Sequence, residues 1–171
     1  PSVRGDGQVP QADASWTNQK RLACTVLTAD CAPILLADRN ATMVEASHAG
    51  WRGLVNGGVA YTIRDMPVPA DQLLAWIGPT IGPAHFEVGP EVYQAFAAAF
   101  EGVAACFKPV QSGQNAHYMA NLPGLVKIAL SQAGVQAITL SDFCTYSDEH
   151  RFYSYRRDGQ TGRQASLIWL A

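Results

Sequence analysis

The stretch that decides the fold is residues 22–49, LACTVLTADCAPILLADRNATMVEASHA. Leu22 to Leu27 is apolar and rich in branched residues, and Pro33 to Ala37 and Thr42 to Ser47 form two more such runs around the polar turn Asp38-Arg39-Asn40-Ala41. This is a strand-turn-strand signal. With Arg39 and Asn40 at the tip of a tight hairpin, Cys31 and His48 fall opposite each other, with Cβ atoms about 5 Å apart. A thiolate and an imidazole that close could share one metal ion or act as nucleophile and base. An inert buried thiol and a hydrogen-bonded core histidine fit the same spacing. The flanking segments TADCAP and SHAGWRG, small or turn-forming, set both residues at strand ends, where side chains reach a pocket.

Beyond His48 the segment AGWRG turns the chain, and GLVNGGVAYTIRDM reads as one helix with a glycine-softened first half. LLAWIG is a short buried strand. The Gly/Pro-rich GPTIGPAHFEVGP after it is a shaped loop, because prolines lack a donor and glycines weaken helical order. Helices are predicted from Glu91 to Phe100, with Val92, Phe96 and Phe100 at helical spacing, and from about Leu122 to Ala133, between Asn121 and Gly134 as caps. The chain ends in QAITLSDFCTY, RFYSYRR and RQASLIWLA, read as strands, the last two as a hairpin around the turn DGQTG. Strands in adjacent runs with helices between groups predict an α+β fold with a mixed sheet.

The 171 residues, 48% of them hydrophobic, suffice for one substantial core, so 1–171 is expected to be a single domain. A net charge of −2 offers no general basic field for nucleic acid, and no apolar run is long enough to span a membrane. The four cysteines, Cys24, Cys31, Cys106 and Cys144, form no CxxC pair, which fits reduced thiols and a cytoplasmic setting. The opening PSVRGDGQVPQ reads as the middle of a loop, so the domain is expected to lack its N-terminal segment. A monomer or small homo-oligomer is expected.

Four segments, LTADCAPILLAD (27–38), SHAGWRGLVNGGV (47–59), WIGPTIGPAHFEVGPEV (76–92) and CTYSDEHRFYSYRRDGQTGRQASLIWL (144–170), together resemble the laccase-domain family, also called YfiH-like or polyphenol oxidoreductase-like proteins. The resemblance runs from about Ala12 to the C-terminus. It implies a cysteine-hydrolase-like fold of α/β/β/α layers and a His-Cys-His metal site in which Cys31 and His48 are two ligands. The metal would be zinc, with copper as the alternative. The family's third ligand, a histidine in a Val-His-Gly motif upstream of the ADAS segment at 12–15, has no counterpart in residues 1–11.

The activities implied are phosphorolysis of adenosine, inosine and methylthioadenosine with adenosine deamination, or, on the same site, editing of peptidoglycan precursors or polyphenol oxidation. A multinuclear copper oxidase needs histidine-rich clusters, and four scattered histidines with no HxH pair speak against one. Phosphorolysis also needs an anion site. Arg52, at a glycine-flanked turn opening a helix, is a candidate phosphate ligand and catalytic residue beside Cys31 and His48, or a surface arginine. Arg156, Arg157 and Arg163 around DGQTG could line a phosphate or nucleobase pocket, although arginines at a hairpin tip more often form a solvated face. Asp30 is either a second-layer partner of a ligand or a turn-capping carboxylate. His85 reads as packing, and Cys144 as structural.

Overall fold

A computed structural model describes residues 12–112 and 115–171. The N-terminal run read above as a loop lies outside them. Strands β1 (Ala14–Thr17), β2 (Ala23–Thr28), β3 (Ala32–Asp38) and β4 (Val44–Ala49) come first, then helices α1 (Trp51–Val55) and α2 (Gly58–Asp65). Next are β5 (Leu73–Ile77), β6 (Glu87–Val88), α3 (Pro90–Ala99), β7 (Phe107–Ser112), β8 (Asn115–Ala120) and α4 (Leu122–Gln132), and finally β9 (Ala137–Leu140), α5 (Tyr155–Asp158) and β10 (Gln164–Trp169).

The fold is α+β, and its central sheet is mixed. Five strands lie in the order β1-β4-β3-β5-β9, with β5 and β9 parallel and the other neighbours antiparallel. On one face Ile34, Leu36 and Ala49 join a core completed by Leu54 of α1, Ile63 of α2 and Leu125, Val126 and Leu130 of α4. On the other, Val44 and Ala46 pack against Cys24 and Val26 of the β2–β10 ribbon. The alternation of β3 and β4 thus serves two cores, as expected for strands sandwiched between layers. The outer face of the ribbon leaves Leu27, Leu167 and Trp169 exposed, so the described residues form a helix–sheet–sheet stack. Among them no helix is long and apolar enough to cross a membrane.

The predicted hairpin forms, but in another register. His48 lies opposite Pro33, not Cys31, and Cys31 precedes the strand. The cause is Asp38, whose carboxylate accepts the N–H groups of Asn40, Thr42 and Met43 at 3.1, 2.6 and 2.7 Å. That Asx-type wrapping opens the tip to four residues, closed by the Asp38 N–H bond to the Met43 carbonyl. The helix predicted after AGWRG is two, broken where Gly57 takes φ +80°. The predicted hairpin of RFYSYRR and RQASLIWLA does not form: β10 pairs antiparallel with β2, and Tyr155–Asp158 is a helical turn capped by the Ser154 hydroxyl. β9 stops at Leu140, well short of the predicted strand, and the left-handed φ of +59° at Asp142 lies in the turn beyond it. Strand β1 and the β6-β8-β7 sheet, where Tyr93 of α3 stacks on Tyr118, were not foreseen. The helix at 122–132 begins as expected, with the Asn121 side chain accepting the Gly124 N–H.

One buried group is at odds with its setting. Glu45, the second residue of β4, is fully buried and both its carboxyl oxygens are unpartnered. Burial pushes its pKa from 4.5 up to about 8, and the Ser47 hydroxyl, on the same face but not in bonding geometry, offsets a little of this. Between those values the unfolded chain releases this proton while the folded chain keeps it. Stability therefore falls as pH rises from 4.5 towards 8, by at most about 1.4 kcal/mol per pH unit. Glu45→Gln is expected to flatten this fall, so that the variant gains on the wild type between pH 5 and 8 in urea titrations. Parallel pH profiles would contradict it.

Candidate functional site

Where β2 runs into β3, a cavity of about 360 Å³ opens. Cys31, His48, Trp51, Phe86, Arg156 and Arg163 are among the residues on its wall. Cys31 and His48 both border this cavity and Gly50 despite the register shift. A Cβ on Gly50 would lie 3.2 Å from Cys31 Sγ, 3.6 Å from His48 Cε1 and 3.9 Å from His48 Nε2. The position that a side chain at Gly50 would fill thus borders both the thiol and the imidazole. The opposite edge of the ring is held from outside, with Nδ1 3.2 Å from Asp13 Oδ1.

Thiolate and imidazole form a donor set suited to zinc, and both border the position that a Gly50 Cβ would fill, so Cys31 and His48 fit as two ligands. Among the described residues no group of three or more metal-binding side chains is assembled. Burial raises the pKa of the Cys31 thiol; the negative charges of Asp30 and Asp13 add to the rise, and Arg163 works against it. Metal binding here would therefore release a proton.

Asp30 turns out to be the residue that assembles the wall. It is a non-glycine residue at φ +88°, where the chain kinks between β2 and β3. Its carbonyl accepts the Thr80 hydroxyl at 2.6 Å and the Ile81 N–H at 3.0 Å. Its buried carboxylate accepts the Thr145 hydroxyl at 2.6 Å and the Arg156 N–H at 2.7 Å. Of the two readings open in the sequence, it caps a turn, the short helix α5, from a segment 126 residues away.

The four arginines part company. Arg156 is braced by its Nη1 bond to the Glu87 carbonyl, with its guanidinium near the Phe86 ring, and lines the cavity, as does Arg163. Arg157 spends its guanidinium on the carbonyls of Thr145, Tyr146 and Phe152 and on Asp158, so it staples the C-terminal loop. Arg52 is exposed, lies over the Trp51 ring and is not on the cavity wall. His85 stacks on Tyr146, and Cys144 accepts the Gly82 N–H at 3.2 Å. Asp13, Trp51 and Phe86 were missed as site residues. Trp51 and Phe86 stood inside motifs already singled out, but Asp13 reaches His48 only through the β1–β4 pairing.

Replacing Asp30 weighs strain against hydrogen bonding. Left-handed backbone costs a non-glycine residue about 1–2 kcal/mol, whereas each bond to a buried carboxylate contributes about 1.5–3 kcal/mol. Asp30→Gly, which relieves the strain but deletes both side-chain bonds, is therefore expected to lose about 2 kcal/mol in denaturant titrations; a gain would mean that strain dominates.

The model of a family described as multi-copper polyphenol oxidoreductase laccase matches residues 2–171. A protein of Pseudomonas aeruginosa named purine nucleoside phosphorylase is 50% identical over 163 residues, 95% of this chain and 66% of its own length. The Escherichia coli purine nucleoside phosphorylase YfiH is 45% identical over 94% of this chain and 64% of its own length. The chain thus spans a little under two thirds of these relatives. A crystal structure of a Neisseria meningitidis protein superposes with a TM-score of 0.91 at 44% identity, over 96% of this chain and 66% of that one. The hypothetical protein YfiH of Bacillus licheniformis superposes with a TM-score of 0.87 at 28% identity, over 98% and 65%. The chain belongs to the multi-copper polyphenol oxidoreductase laccase family.

Proposed function

We propose that the protein is a purine nucleoside phosphorylase with zinc at Cys31 and His48, acting on adenosine, inosine and methylthioadenosine and deaminating adenosine at the same centre. The observation that carries this reading is one cavity that brings the Cys31–His48 pair together with two arginines and aromatic walls. The relatives named purine nucleoside phosphorylase support it. A volume of about 360 Å³ falls in the range of small-molecule pockets.

In phosphorolysis an oxygen of inorganic phosphate forms a bond to the ribose C1′, the C1′–N9 bond breaks, and the base leaves with the electron pair and takes up a proton. The products are ribose 1-phosphate and free base. Trp51 and Phe86 offer apolar surface to the base. Arg156 and Arg163 are the charges on the wall that would hold phosphate, Arg156 already aimed by its bond to Glu87. Zinc, when bound, supplies a Lewis acid that polarises an oxygen and, for deamination, acidifies water.

The test is metal analysis together with phosphate-dependent release of base from adenosine and inosine. Cys31→Ala and His48→Ala are each expected to lose zinc and to slow base release by about 100-fold or more. Full activity in either variant would return the pair to the core. Peptide release from muropeptide precursors, or phenol oxidation, in place of base release would favour the amidase or oxidase reading.

Arg156→Ala and Arg163→Ala are expected to raise the KM for phosphate about tenfold or more, the effect of losing one charge-assisted bond. Arg52→Ala serves as the comparison, since its guanidinium lies against Trp51. A larger rise there than at Arg156 would make Arg52 the phosphate ligand.

A further inference from the structure

We propose that Asp13 is the positioning residue of the site: it holds the Nδ1 edge of His48 so that the Nε2 edge is presented, unprotonated, towards Cys31. Two contacts converge on this. The His48 N–H donates to the Asp13 carbonyl at 2.7 Å, fixing the main chain, and Asp13 Oδ1 lies 3.2 Å from His48 Nδ1, fixing the ring. Both follow from the β1–β4 ladder, in which Ala14 pairs with Ser47 and the next residues outward are Asp13 and His48.

The chemistry sets the direction of the side-chain bond. A carboxylate has no proton to give, so the bond forms only when Nδ1 carries the hydrogen. The neutral ring then has its lone pair on Nε2, the nitrogen nearer the Gly50 gap that Cys31 Sγ also borders. That is the tautomer a metal ligand or a general base needs at this position. The Asp13 side chain is 80% exposed, so the pair is screened by water and contributes little to holding the fold. Its effect is on the ring. His48 stands as the wall between the main cavity and a second one of about 380 Å³ lined by Asp13, and the ring is gripped from that second side.

The proposal rests on Cys31 and His48 being the working pair, and its test separates the two. In protein with 15N-labelled histidine, long-range 1H–15N spectra at about pH 8, where an ordinary imidazole is neutral, report which ring nitrogen of His48 carries the proton. The wild type is expected to show Nδ1–H with a bare Nε2. Asp13→Ala is expected to move the proton largely to Nε2 and to weaken zinc binding about 10- to 100-fold. The melting temperature and the exchange protection of the His48 amide should hold, because the main-chain bond remains. Asp13→Glu should restore the tautomer in part. An Nε2–H ring in the wild type, or an unchanged tautomer in Asp13→Ala, overturns the proposal. Wild-type protein that shows the expected tautomer and zinc dependence but releases no base refutes the nucleoside reading and leaves Asp13 in its role.

Discussion

Asp30, through its carbonyl and its buried carboxylate, joins three distant pieces of the chain at one point. Its carbonyl ties down the Thr80–Ile81 loop, one carboxylate oxygen takes the Thr145 hydroxyl, and the other takes the Arg156 N–H. Cys31 is the next residue. The position of the thiol, the placing of Arg156 on the cavity wall and the start of α5 therefore share one constraint. The left-handed backbone at Asp30 is tolerated because four hydrogen bonds over-determine it.

Asp30 and Glu45 show what a buried carboxyl does with and without partners. Asp30 is surrounded by donors, whereas Glu45 has none in bonding geometry and is held protonated at neutral pH by burial. The first organises the site and the second is a cost borne by the buried face of β4. Only one strand, β3, separates them in sequence, and neither residue type reveals which fate it meets.

The cavity also sorts cations that look alike in the sequence. Arg156, Arg157 and Arg163 cluster around one turn, yet Arg157 is consumed by three carbonyls and Asp158, while Arg156 and Arg163, each tied to backbone carbonyls only through Nη1, line the cavity beside Cys31. A guanidinium carries five donors, so it can be a staple or a ligand, and local carbonyl geometry chooses between them.

Sequence by itself determined the local elements and the chemical inventory. Branched apolar runs gave β2, β3, β4 and β5, helical spacing and caps gave α3 and α4, and the motifs around Cys31 and His48 singled out a thiol and an imidazole that the fold places on one cavity wall. These signals are short-range, because strand propensity, capping and turn chemistry act over a few residues. Tertiary structure alone decided the rest. Wrapping of the turn by Asp38 moved the register by two, so Cys31 and His48 share Gly50 as a neighbour and are not paired across the ladder. The pairing of β10 with β2, the reach of Asp30 to Arg156 and the contact of Asp13 with His48 join residues separated by 35 to 126 positions or more, through hydrogen bonds that no local spacing encodes.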